Sequence, residues 1–339
     1  MVYNVAMKFS WNKISRPVLA LAPMEGYTDS AYRQLIKTYA PNVICWTEFT
    51  SADALKYKSR TSQKKIECDK NEQPLIVQLF GKKPENFVEA IPFVEKMKAA
   101  GIDINMGCPA KKVVASEHGS ALIKTPELAA EIVYQVSKNT KLPVSVKTRI
   151  GFKEYDEAKF LKFCLNLQNA GAKLITVHGR TTKQGYSGKA DWEPAYKLKK
   201  LLKIPVIGNG DIDSPESALS HLENLDGIMV GRATFGNPLI MYKIYKALHP
   251  HSKTLKKLPT WFDLAVRHIR LSVKTKGEKK GMLEMRKHLA AYIKGFPYAA
   301  NYRLRLVQVS SEKEALALIE EIHKNSLKID RDRFLCYNI

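Results

Sequence analysis

The sequence predicts an α/β protein: a (β/α)8 TIM barrel over residues 1–245, followed by a small basic all-helical domain over residues 246–339. Three observations carry that expectation. Short apolar runs rich in Val and Ile recur eight times in about 235 residues, the pattern of a parallel sheet buried on both faces. Each run is followed by a longer segment of helical period, and eight such units suit a closed barrel better than an open doubly wound sheet. After about residue 245 the runs stop, helical period continues, and basic residues crowd together.

In chain order the eight runs are "VLALAP" from Val18, "NVICWTEF" from Asn42, "PLIVQLF" from Pro74, "GIDIN" from Gly101, "PVSVKTR" from Pro143, "KLITVHG" from Lys173, "PVIGNG" from Pro205 and "DGIMVG" from Asp226. Between them, "PENFVEAIPFVEKMKAA" and "TPELAAEIVYQVSKNT" open with Thr or Pro beside acidic residues and carry an apolar stripe, as capped amphipathic helices do. The tail segments "TWFDLAVRHIRLSVKTK", "KGMLEMRKHLAAYIKGF" and "SEKEALALIEEIHKN" are also of helical period. Gly277 and the "GFP" at 295–297 mark turns between them.

Composition narrows the class. A hydrophobic fraction of 45%, with no apolar run near the length of a membrane span, predicts a soluble globular chain with no membrane partner. The opening stretch "MVYNVAMKFSWNKISRP" has no continuous apolar core followed by a small-residue cleavage site, so a cytoplasmic monomer is expected. Five cysteines, at 45, 68, 108, 164 and 336, are scattered and form no C-x-x-C pair. That argues against a disulfide framework and against a cysteine metal site, and predicts reduced thiols.

Charge is the strongest compositional signal. Lys and Arg number 55 against 33 Asp and Glu, a formal net charge of +22. Such a balance arises either from a proteome-wide bias or from a polyanionic partner. From Lys253 to Arg305 there are 14 Lys or Arg against 3 Asp or Glu, so about half of the excess lies in one short segment. Clustering of that kind favours an electrostatic footprint for nucleic acid.

A barrel places its chemistry at the C-terminal ends of its strands. The residues there are Pro23, Met24 and Glu25; Gln78; Asn105, ahead of a turn carrying Cys108; Lys147 and Arg149; His178 and Arg180; Asn209, Gly210 and Asp211; and Gly231 and Arg232. Taken singly, a strand lysine can snorkel and His178 can be a satisfied core histidine. Together they form a polar rim. "GNGD" after the seventh run and "VGR" after the eighth supply backbone N–H groups and an Arg where barrels commonly hold phosphate. Cys108 lies between Gly107 and Pro109, which exclude helix and sheet, so it sits on a turn, either packing or facing a ligand.

The motifs "LALAPMEGYTD", "VQLFG", "DINMGCPAKKV" with "GSAL" behind it, "VKTRIG", "VHGRT", "GNGDI", "VGRATFGNP" and "RKHLAAYIKGFP" occur in the order seen in bacterial-type tRNA-dihydrouridine synthases, and from about Val18 to Arg305 the chain resembles that family. "NMGCP" and "KGFP" are the specific parts, since "GNGD" and "GR" also occur in other flavin barrels. Glu25 stands where many members have a small residue.

The resemblance implies reduction of the C5=C6 bond of uridine in tRNA to 5,6-dihydrouridine, by FMN that NADPH has first reduced. Hydride passing from flavin N5 to C6 leaves C5 in need of a proton, and a thiol, mostly protonated at neutral pH, can give one. By resemblance Cys108 is that donor. The same resemblance implies that Pro23, Met24 and Glu25 line the flavin, Gln78 bonds its edge and Lys147 balances the anionic reduced ring. His178 would add a contact near the ring, while Asn209, Gly210, Asp211, Gly231 and Arg232 hold the ribityl phosphate. Asn105 and Arg180 are implied at the substrate base or its phosphates, and Arg286, Lys287, Lys294, Arg303 and Arg305 on the tRNA backbone, which must be held while a base is flipped out. No dinucleotide fingerprint precedes a strand, so NADPH is expected to visit the flavin site transiently. Two other readings fit parts of the pattern: an FMN barrel acting on a free small molecule, of dihydroorotate type, and an RNA-binding barrel without catalysis.

Overall fold

The fold is seen in a computed structural model that describes residues 9–296 and 298–336, the last ten as backbone only. Eight strands are present where the eight apolar runs lie: β1 (Val18–Leu21), β2 (Ile44–Trp46), β3 (Leu75–Phe80), β4 (Gly101–Met106), β5 (Val144–Arg149), β6 (Leu174–His178), β7 (Val206–Asn209) and β8 (Gly227–Val230). All pairings are parallel, in the order β2-β1-β8-β7-β6-β5-β4-β3, and β2 pairs with β3 through Cys45 and Leu75 to close the barrel. A two-residue strand, Thr50–Ser51, adds a second edge contact to the end of β3.

The helices follow in chain order: α1 (Ser30–Tyr39), α2 (Ala52–Lys56), α3 (Arg60–Lys65), α4 (Pro84–Lys96), α5 (Lys111–Ala115), α6 (Pro126–Asn139), α7 (Glu157–Asn169), α8 (Glu193–Leu201), α9 (Pro215–Ser220), α10 (Ile240–Leu248), α11 (Trp261–Lys276), α12 (Glu278–Tyr292), α13 (Ala299–Leu306) and α14 (Glu312–Cys336). Asp29 caps α1 by accepting the Tyr32 N–H, and Thr260 with Asp263 forms a reciprocal capping box on α11. The caps expected on α4 and α6 differ from the sequence reading. Both helices begin on a proline with a glutamate in the first turn, but neither Lys83 nor Thr125 makes a side-chain cap bond. Proline at the first position removes one of the N–H groups that the start of a helix leaves without a partner.

Strand alternation divides the core in two. One set of side chains fills the lumen: Val18, Ala20, Ile44, Trp46, Ile76, Leu174, Ile207 and Met229, with Trp11 stacked on Trp46 at 5.8 Å between ring centroids. The other set, including Leu19, Leu21, Leu75, Val77, Leu79, Ile102 and Ile104, faces the helices.

Beyond β8 the described chain is helical. Helix α10 buries Ile240, Met241 and Ile244 and contacts β1, α1 and α9, so it runs across residue 245, where the sequence reading divides the chain. Gly277, with φ of +77°, turns α11 into α12, while Pro297 of the second expected turn lies outside the described residues. Helix α11 packs on α1. Among the described residues no helix is long and apolar enough to cross a membrane, no side-chain cluster has metal-binding composition, and Cys45, Cys68, Cys108 and Cys164 are free thiols.

The seam where the last strand, β8, meets the first, β1, has little tolerance. A Cβ added at Gly227 would fall on the Val18 carbonyl and within 2.8 Å of its amide nitrogen. Gly227→Ala should therefore cost about 1–3 kcal/mol in urea unfolding, through forced displacement of a strand in a close-packed sheet. An unchanged midpoint would mean that the seam can widen.

Candidate active site

The C-terminal ends of the strands open on a cleft of about 1160 Å³. Pro23, Met24, Glu25, Asn105, Cys108, Lys147, His178, Asn209, Gly210, Asp211, Gly231 and Arg232 all line it, although they come from six strands and span more than 200 residues of chain. Parallel strands in a closed ring bring their C-terminal ends to one rim, which is why residues so far apart in sequence converge.

Cys108 lies outside any helix or strand, on the turn between β4 and α5. Asn105 holds that turn: its Oδ1 accepts the N–H of Gly107 at 3.1 Å and of Cys108 at 2.9 Å. From the other side Ser120 donates its hydroxyl to the Cys108 carbonyl at 2.8 Å. Burial pushes the thiol up from its ordinary pKa, only partly opposed by the Ala110 N–H and by Arg149, so Cys108 is protonated at neutral pH.

Cations surround this thiol. Lys147 reaches up from β5 and donates to Asn209 Oδ1 at 3.0 Å. Its side chain keeps an open flank along the cleft, but its ammonium is deep, and burial followed by repulsion from Arg149 pushes its pKa down to about 8. Arg149 is anchored by its Nε on the Gly107 carbonyl at 2.7 Å and by Nη1 on the carbonyls of Thr181 and Gly185. His178 is buried among Lys147, Arg149, Arg180 and Arg232, and burial and those charges drive its pKa far below the ordinary value. The imidazole is neutral. A guanidinium can only donate, so in the Arg180 Nη1 to His178 Nε2 contact of 3.3 Å the ring nitrogen accepts.

Asp211 balances part of this charge. It accepts from Arg180 at 2.6 Å, from the Ala190 N–H at 2.8 Å and from Arg232 at 3.3 Å. Burial alone would raise its pKa, but those partners outweigh it and hold the carboxyl low. The preceding Gly210 has φ of +133°, and a Cβ there would lie 2.6 Å from that of Ala190, so only glycine fits. At Gly231 the opposite holds: an added Cβ would make ordinary van der Waals contact with Met24 Sδ at 3.5 Å and Ala22 Cβ at 3.6 Å, so the space there does not demand glycine.

Other expected residues are placed elsewhere. Gln78 does not line the cleft; it is fully buried, with its amide engaged by Asp103 and Asn105. Arg180 is buried behind His178 and bound to Asp211 and to the carbonyls of Ser187 and Gly188. In the tail, Arg286 donates to the carbonyls of Val309 and Gln308, and Arg305 forms a two-pronged pair with Glu321. Lys287 lies over the Tyr27 ring, 5.2 Å from its centroid, at the edge of the cleft. Lys294 and Arg303 are exposed and have no side-chain partner among the described residues. The sequence reading passed over Tyr186, half out in solvent on the cleft wall with Arg232 4.5 Å from its ring centroid. The paired glycines of "GYSG" were the available signal of an exposed loop tip.

The strain on Lys147 has a measurable sign. Below about pH 8 the folded state carries this ammonium against the cost of burial, while the unfolded chain holds the proton up to about 10.5. Between those values the unfolded state binds more protons, so stability rises with pH. Without ligand, Lys147→Met should be more stable than the wild type at pH 7, and the gap should narrow as pH rises from about 8 towards 10.5. A gap in denaturation midpoint that is constant with pH would mean that the ammonium is not strained.

A sequence model of the dihydrouridine synthase (Dus) family matches residues 20–328. A Synechocystis protein named "Probable tRNA-dihydrouridine synthase 1" is 38% identical over 305 residues, or 88% of this chain and 84% of that one. Proteins named "Probable tRNA-dihydrouridine synthase" are 37% identical over 290 residues in Rickettsia bellii, covering 84% of this chain and 88% of that one, and 34% identical over 322 residues in Staphylococcus aureus, covering 92% and 94%. With most of its length matched in both comparisons, the chain belongs to the dihydrouridine synthase family.

Proposed function

We propose that this protein reduces uridine in tRNA to 5,6-dihydrouridine with FMN as its cofactor and NADPH as reductant. The family and the named relatives support uridine in tRNA as the substrate. The observation that carries the chemistry is the pairing, in one cleft, of a protonated thiol on a held turn with a buried lysine.

The cleft suits FMN by its donor set. Arg232 lines the cleft with Gly231, bonded to Asp211 of the Asn209–Asp211 turn, and would hold a phosphate. Lys147, held at Asn209, would lie against the ring as a fixed positive charge. Pro23, Met24 and Glu25 would wall the ring, with His178 as a neutral neighbour. When bound and reduced, FMN would supply the hydride that C6 of the uracil takes up. Cys108 then gives its S–H proton to C5, so that hydride and proton together saturate the bond, and the thiolate regains a proton from solvent. The cations at Lys147 and Arg149 stabilise the thiolate while it lasts. The helical tail from residue 246 would hold the tRNA, with Lys287 at the junction and Lys294 and Arg303 presenting unengaged charge.

Cys108→Ala should bind FMN, accept hydride from NADPH and bind tRNA, yet lose on the order of a hundredfold to ten-thousandfold in single-turnover oxidation of reduced enzyme by tRNA. Cys108→Ser should recover little, because a hydroxyl is a far weaker acid. Dihydrouridine formed by Cys108→Ala at the wild-type rate would assign the proton to another group or to water, and failure of the wild type to bind FMN on titration would remove the flavin reading.

The structure also separates the tail cations. Replacing Lys294 and Arg303 together by Ala should weaken tRNA binding and reduce the slope of log affinity against log salt by roughly 1 for each phosphate that is no longer neutralised. Replacing Arg305 should leave that slope nearly unchanged, since its charge is already paired with Glu321. Equal slopes for all variants would place the tRNA on another face.

A further inference from the structure

Beneath the cleft floor lies a layer of polar side chains that the proposed chemistry does not use. The register sets Gln78 beside Asp103 and Asp103 beside Ser145, with Asn105 and Lys147 one step nearer the rim. Gln78, Asp103 and Ser145 have no exposed surface. They form one continuous path: Ser145 Oγ donates to Asp103 Oδ1 at 2.6 Å, Gln78 Nε2 donates to Asp103 Oδ2 at 2.7 Å, and Asn105 Nδ2 donates to Gln78 Oε1 at 2.9 Å. Asn105 Oδ1 is thereby turned towards the N–H groups of Gly107 and Cys108.

The direction of this path is fixed from the turn. Backbone N–H groups only donate, so Asn105 must present oxygen to the Cys108 turn and nitrogen to Gln78. Gln78 must then present nitrogen to position 103, and what stands there must accept. Burial pushes the Asp103 carboxyl up from its ordinary value, and in either protonation state one of its oxygens can accept. If position 103 offered no acceptor, Gln78 would keep a buried N–H without a partner and nothing would fix either carboxamide.

We infer that Asp103 is a positioning residue: by accepting from Gln78 it sets the orientation of two carboxamides in series and so holds the turn that carries Cys108. This rests on the reading of Cys108 as the proton donor, but the holding of the turn can be tested without turnover. It also gives Gln78 and Asn105 a role at the turn, beside those the sequence resemblance implies for them at the flavin and the substrate.

Three roles for Asp103 give different outcomes in two variants with the same number of side-chain heavy atoms. If it only fills space, Asp103→Leu and Asp103→Asn are equivalent. If its charge matters, for example towards Lys147, both fail. If the acceptor matters, only Asp103→Leu fails, because the amide in Asp103→Asn can turn its oxygen to Gln78 and its NH2 to the Ser145 hydroxyl. Two readouts apply to the full-length holoenzyme: the rate of Cys108 alkylation by iodoacetamide, followed by peptide mass spectrometry, and single-turnover flavin oxidation by tRNA.

Asp103→Leu should speed alkylation on the order of tenfold and slow the single turnover on the order of a hundredfold, through loss of the two bonds that tether the turn. Asp103→Asn should regain most of both, and flavin reduction by NADPH should be altered in neither. Should Asp103→Leu fail to fold, Gln78→Met breaks the middle of the same path and should show the same change in alkylation. Wild-type alkylation in Asp103→Leu or in Gln78→Met, or an Asp103→Asn enzyme as impaired as Asp103→Leu, would overturn the inference. If the wild type makes no dihydrouridine, the proposed function fails while alkylation still decides the role of Asp103.

Discussion

Closure of the sheet is the constraint on which the rest of this molecule depends. Pairing of β2 with β3 turns eight parallel strands into a ring, so every strand ends at the same rim and every second side chain points into one lumen. Apolar side chains fill most of that lumen, from Val18 to Met229. On β3, β4 and β5 the inward positions nearer the rim are instead Gln78, Asp103, Asn105, Ser145 and Lys147. A polar sector inside an otherwise apolar barrel is stable only because its members bond to one another, and that bonding gives the cleft above it a fixed floor.

The electrostatics of the cleft follow from crowding several cations where water is scarce. Lys147, Arg149, Arg180 and Arg232 surround His178 and keep it neutral, while Asp211 takes up two of the guanidinium groups. The strands and loops deliver these charges, and Arg149 and Arg180 also hold the loop carbonyls of Gly107, Thr181, Gly185, Ser187 and Gly188. Their cost falls on the folded chain, as the depressed pKa of Lys147 shows. An arrangement of this kind suits a site that takes an anionic ligand, because the ligand relieves the repulsion that the empty protein carries.

The loop after β1 joins this site to the helical region. Met24 lines the cleft, Asp29 caps α1, and between them the Thr28 carbonyl accepts from Arg33, which is itself paired with Glu72 in the interior at 2.6 Å. Asp29 also pairs with Lys276 at the end of α11. Burial would raise the carboxyl of Asp29, yet Lys276 and the nearby His268 and His288 bring it down to about 2. Tyr32 completes the junction by donating to the Thr234 carbonyl just beyond β8 and stacking on His288. A helical region fastened in this way carries its basic surface in a set relation to the cleft, which a flexibly tethered tail would not.

The period of the sequence alone determined the barrel. Val- and Ile-rich runs flanked by Gly or Pro mark the eight strands, because a strand buried on both faces is predominantly apolar. Short motifs at strand exits likewise marked most of the cleft, since position along a barrel strand fixes which rim a residue reaches. The tertiary structure decided what each polar group bonds to. Gln78 is turned inward by Asp103, 25 residues away, and Arg286 is held by carbonyls 22 and 23 residues on, so neither partner lies within the range of local patterning. Residue spacing records the direction of a side chain through the geometry of the backbone. Whether that side chain is free or engaged depends on groups that only closure of the ring and docking of the tail bring within hydrogen-bonding distance.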